Sequence, residues 1–150
     1  MKIKLQNIQK KICLNQKIIN EAIKKLEKIK LFKNYSFSVS LISNNQIKKI
    51  NKDYHKKNYP TDVLSFEINQ PEFIKKKVKV FDGDIIISVD TAKDNSKIYN
   101  KSIEEEILLY IIHGILHLTG FNDKTRKEAE IMHKKQEKIL NKVIKIKNQG

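Results

Sequence analysis

Two histidines and an aspartate, His113, His117 and Asp123 in the stretch HGILHLTGFND (113–123), are the side chains best suited to chemistry in this chain. Imidazole nitrogen and carboxylate oxygen both ligate Zn²⁺, and three protein ligands leave a fourth position for water or substrate. Histidines four apart share one face of a helix, with Cβ atoms about 5–6 Å apart. Gly120 is placed to end that helix in a left-handed turn. The chain can then double back and bring Asp123 to the same ion. Two satisfied core histidines would give the same H-x-x-x-H spacing, and it is the glycine turn with the acid beyond it that favours a metal. A peptidase of the H-E-x-x-H type carries its general base directly after the first histidine. Here that position is Gly114, which can take no proton. Glycine inside a helix also costs about 1 kcal/mol relative to alanine, so Gly114 points to close packing or to space kept for a substrate. Cys13 lies far from any histidine in sequence, and no G-x-S-x-G elbow, Walker loop or G-x-G-x-x-G turn is present.

The elements that must hold these residues follow from periodicity. Residues 102–118 begin with the capping pattern Ser102-x-x-Glu105 and continue as ILLYIIHGILHL, a helix broken near Gly120. Ile18, Ile19, Ala22, Ile23, Leu26 and Ile29 recur at helical spacing from Asn15 onward, with lysines opposite. IKLQNI, FSVSLI (37–42) and TDVLSFEI (61–68) read as strands, and GDIIISV (83–89) is the most continuous apolar strand and the expected centre of the sheet. A helix from an Asn44 cap carries Ile47, Ile50 and Tyr54 on its apolar side. Residues 69–82 read as an exposed, Lys-rich loop or hairpin end, and from Thr91 onward the pattern is helical, with a break near Asn100. There is no repeat and no linker. The expectation is one α+β domain over 1–150: a small mixed β-sheet packed by helices, with a zincin-like metal site on the His-x-x-x-His helix and the turn after it.

Composition narrows the partners. With a single cysteine no internal disulfide can form and a Cys-rich zinc module is excluded; such usage suits a reducing compartment. No stretch reaches a signal-peptide core or the roughly 20 apolar residues of a membrane span, so a soluble, cytoplasmic protein without a membrane partner is expected. The net charge of +14 favours polyanions. Yet only Arg126 among the 31 basic residues is arginine, so compositional bias could give the same total. Its distribution is more informative. Residues 1–34 carry ten Lys against two Glu, residues 124–147 nine basic against three acidic, and residues 80–123 three Lys against eight acids.

HGILHLTGFND resembles the HGxLHxxGyDH signature of the bacterial endoribonuclease and rRNA maturation factor family of the YbeY type. NKDYHKKNYPTDVLSF (51–66) is similar to that family's N-x-x-Y-R…TDVLSF segment. GDIIISVDTAKDNS (83–96) is similar to its GDI-x-IS segment, and EAEIMHKKQEKIL (128–140) to its E-x-x-M…Q/E-x-x-I/L helix. Four segments in order, spanning 51–140, are far more specific than any one of them. The resemblance implies a single α+β domain, one Zn²⁺ bound by three side chains and metal-dependent cleavage of single-stranded RNA rather than DNA. It further implies maturation of the 3′ end of small-subunit (16S) rRNA, ribosome quality control, and the ribosome or a small-subunit precursor as partner.

Two departures from that pattern matter. The family's third histidine falls on Asp123, with Asn122 in place of the usual Asp; the ligand set becomes His113, His117 and Asp123. The family's Arg falls on His55, a weaker anion partner than a guanidinium, with Lys56 and Lys57 beside it as further phosphate contacts. No general base follows from the sequence. Asp62 and Asp84 stand near the motifs, but T-D and G-D at strand starts more often cap or turn the backbone. His133 reads as a surface residue of a Lys-rich helix. Two other functions stay open: a zinc peptidase on a similar scaffold, and a ribosome-assembly factor whose metal is structural.

Overall fold

The computed structural model describes residues 1–55, 63–67 and 81–144, with 50–55 and 63–67 as backbone alone. Its strands are β1 (Lys2–Asn7), β2 (Ser36–Ile42), β3 (Val63–Glu67) and β4 (Gly83–Ser88). The helices are α1 (Gln16–Glu27), α2 (Asn44–His55), α3 (Val89–Ile98), α4 (Ile103–Leu118) and α5 (Arg126–Val143), with a 3₁₀ turn at Lys30–Phe32.

The strand order is β1-β2-β4-β3. β1, β2 and β4 run parallel, and β3 is antiparallel to β4 with Leu64 opposite Ile86 and Phe66 opposite Asp84. GDIIIS is therefore an inner strand, as its apolar run predicts, and the sheet is mixed, as expected.

Alternation along the strands builds two unequal cores. Phe37, Val39 and Leu41 of β2 and Ile85 and Ile87 of β4 are buried on the face covered by α1 and α4, against which α5 packs in turn. On the other face Ile42 and Ile86 meet Ile47 of α2 in a smaller cluster. Asp84 lies on that second side, hydrogen-bonded to Ser38 Oγ; Asp62 lies outside the described residues. Of the expected loop 69–82, residues 69–80 are likewise outside; at its end Asp82 Oδ2 accepts from Ser36 N at 2.8 Å.

Helix starts follow their caps. Asn15 Oδ1 accepts from Ile18 N, Ser102 Oγ from Glu105 N and Thr125 Oγ1 from Glu128 N. The cap of α2 differs from expectation. Ser43 Oγ accepts from Gln46 N while Gln46 Oε1 accepts from Ser43 N, a reciprocal capping box. Asn44 is the first helical residue, and its side chain turns instead to Ser88 Oγ and Thr91 Oγ1, tying α2 to the start of α3. Asn100 has φ 54°, which places the break between α3 and α4 where the sequence puts it. No helix among the described residues is long and apolar enough to cross a membrane.

Candidate metal centre

Helix α4 is buried on most of its circumference. Ile107, Leu108, Ile111, Ile112, Ile115 and Leu116 are nearly inaccessible, and burial of each contributes roughly 1.5–3 kcal/mol. Its acidic first turn, Glu104 to Glu106, complements the positive end of the helix dipole. His113 and His117 are the half-exposed polar residues of its last turns. Between them Gly114 lies against the sheet: a Cβ there would meet three side-chain carbons of Ile85 at 3.1 Å. Of the two explanations open for this glycine, close packing is the one observed.

The four-residue spacing sets the two imidazoles edge to face, with ring centroids 4.5 Å apart and planes at 83°. His113 Nδ1 lies 2.8 Å from Gln136 Oε1 of α5. A carboxamide oxygen only accepts, so Nδ1 carries the proton and Nε2 keeps its lone pair. That lone pair faces His117 Nε2 at 3.0 Å. His117 must then either donate a proton to it or share a cation with it.

The turn after α4 supplies the third group. Phe121 N bonds to Leu116 O at 2.9 Å and Gly120 N to His117 O at 3.2 Å, the paired bonds of a Schellman motif. Gly120 adopts φ 109° at its apex. The chain reverses there, and Asp123 Oδ2 comes within 3.6 Å of His117 Nε2. One ligand atom from each of His113, His117 and Asp123 lies within 4.8 Å of the other two. Two nitrogens bonded to one tetrahedral ion at 2.0–2.1 Å stand about 3.3 Å apart, close to the observed separation. An N, N, O donor set with one side open suits Zn²⁺, so the residues present fit the expected metal.

A cavity of about 260 Å³ opens beside these atoms, lined by His113, Asp123, Ala129, Met132, His133 and Gln136. Gln136 and the cavity wall on α5 were not apparent as functional in the sequence. Their signal is the set 129, 132, 133, 136, one helical face pointing at the histidines. His133 is exposed, as expected, but on the cavity rim. His55 closes α2 with its backbone alone described, and Lys56 and Lys57 lie outside the described residues; the three metal-ligand candidates are brought together.

Comparison with known proteins agrees with the motifs. A family model described as endoribonuclease YbeY matches residues 3–144. The endoribonuclease YbeY of Acetivibrio thermocellus is 35% identical over 154 residues, covering 93% of this chain and 95% of that protein. That of Syntrophus aciditrophicus is 33% identical over 142 residues, covering 93% and 88%. The solution structure of TM1509 from Thermotoga maritima superposes with a TM-score of 0.67 at 28% identity, over 94% of this chain and 88% of that one. Matched along nearly its whole described length, with the two histidines and the glycine turn of the signature in place, the chain belongs to the endoribonuclease YbeY family.

Proposed function

We propose that this protein is a zinc-dependent endoribonuclease that cleaves single-stranded RNA in the cytoplasm as a single domain, with His113, His117 and Asp123 as its metal ligands. The observation that carries the reading is the meeting of three ligand atoms within 4.8 Å beside an open cavity. Family membership supports RNA as the substrate. The bound ion would supply Lewis-acid chemistry, polarising water or a phosphoryl oxygen.

The chain's own residues prepare that site. Gln136 holds the proton on His113 Nδ1 and so leaves the Nε2 lone pair free to ligate a metal. The Schellman turn at Gly120 fixes where Asp123 stands. Asp123 brings a negative charge to the ligand set, and His55, Lys56 and Lys57 are assigned to the substrate phosphate. Gly114 occupies the position of a peptidase base, and Ile85 fills the space a side chain would need; this argues against the peptidase reading. Within the cell the proposed substrate is small-subunit rRNA, in 3′-end maturation and ribosome quality control on the ribosome or its precursor.

The test is direct. Zinc-loaded protein is incubated with internally labelled single-stranded RNA, with duplex RNA and with denatured protein. Cleavage of the single strand only, abolished by chelation and restored by added zinc, is the expected result. Proteolysis without RNA cleavage would overturn it.

A further inference from the structure

The cavity beside the proposed ligands has a second wall made by one face of α5, Ala129, Met132, His133 and Gln136. Three of these have evident roles. Met132 is buried in the main core, Gln136 is bonded to His113, and Ala129 has no polar atom in its side chain. His133 is different. It is exposed at the rim, and no hydrogen bond or ion pair joins it to another described residue. Of the acids about one turn away on α5, Glu130 is paired with Arg126 at 3.7 Å and Glu137 is half-buried. The imidazole is therefore one of the donors presented to whatever enters between Asp123 and α5, beside the Gln136 carboxamide.

Size restricts the visitor. About 260 Å³ is below the roughly 300–1,000 Å³ of sites that enclose a drug-sized ligand. A phosphodiester link of a strand lying across this open cavity fits in such a space. A neutral imidazole offers one N–H donor and a protonated one offers two, either of which can meet a phosphate oxygen.

We infer that His133 is a substrate-binding residue that donates a hydrogen bond to a non-bridging phosphate oxygen of the RNA strand, opposite the metal-ligand wall. The inference rests on the RNA reading above, and it adds a backbone contact from α5 to that reading.

Binding separates the two claims. Zinc-loaded protein is titrated with a short, mixed-base 2′-O-methyl oligoribonucleotide, followed by fluorescence anisotropy, alongside zinc content and a cleavage assay. His133→Ala should weaken binding about tenfold, the low end for one hydrogen bond to a charged acceptor. His133→Gln, which keeps an N–H donor, should recover most of it, and zinc content should stay that of the unsubstituted protein in both. Unchanged affinity in His133→Ala, equal losses in the two variants, or loss of zinc would each overturn the assignment. If the unsubstituted protein binds but leaves cleavable RNA intact while His133→Ala still weakens binding, the contact stands and the nuclease reading fails.

Discussion

His113 owes its orientation to one amide. Gln136 Oε1, on a side chain only 8% exposed, receives the Nδ1 proton at 2.8 Å. Partners of this kind typically change metal affinity by about 10–100-fold when removed. Gln136→Leu keeps the volume and the apolar contacts, so it should leave the fold intact and weaken zinc binding in that range, measured by competition with a chromophoric chelator. Gln136→Glu keeps an acceptor and should retain tight binding. Equal affinity in Gln136→Leu would mean that the contact does not orient the ring. The three proposed ligands were legible in the sequence because their spacing is local, four residues on one helix and a turn. Gln136 was not, because it reaches His113 across 23 positions through the packing of α5 on α4. In the sequence it belongs to the Q/E-x-x-I/L pattern of a Lys-rich helix, with nothing to tie it to His113.

At the scale of elements, two glycines position the site by different physics. Gly120 was readable as a helix stop, and its φ of 109° bears out a positive-φ turn. Nothing lies within 4 Å of a Cβ built there, so Gly120→Ala should cost backbone strain alone, about 1–2 kcal/mol, and should weaken metal binding by moving Asp123. Gly114 left two explanations open because the sequence cannot show how near a helix lies to a strand. With three Ile85 carbons at 3.1 Å, overpacking of about 1–3 kcal/mol should outweigh the roughly 1 kcal/mol that alanine adds to helix propensity. Urea denaturation should therefore find Gly114→Ala less stable, with part of the loss recovered by Ile85→Val. A more stable Gly114→Ala would contradict the close approach. The misplaced cap of α2 has a similar lesson. Asn44 is a good cap residue, but Ser43-x-x-Gln46 was the reciprocal pattern, and Asn44 was drawn off by Ser88 and Thr91, which are distant in sequence.

Over the whole molecule, β2 was visible as an alternating stretch and the inner β4 as an apolar run, whereas the antiparallel placement of β3 depends on pairing that no local pattern encodes. Charge shows the same division. The sequence reveals two basic segments, and the fold makes them neighbours by packing α1 against α5. Lys17, Lys24 and Lys28 are exposed along the first, and Lys127, Lys134 and Lys138 along the second, each set at i, i+7, i+11. If these stripes carry an RNA strand, log affinity should fall steeply with log salt, by about 0.7 for each phosphate neutralised. Replacing the three α5 lysines with glutamine should flatten that slope. A slope near zero in the unsubstituted protein would reduce the +14 to compositional bias. The central claim is that His113, His117 and Asp123 hold one zinc on which RNA cleavage depends. The most direct measurement is elemental analysis of chelator-free preparations of the protein and of His117→Ala, each assayed on the same single-stranded RNA. One zinc per chain with cleavage is expected in the first, and loss of both metal and cleavage in the second, with the fold retained by circular dichroism. Full zinc occupancy or undiminished cleavage in His117→Ala would contradict it.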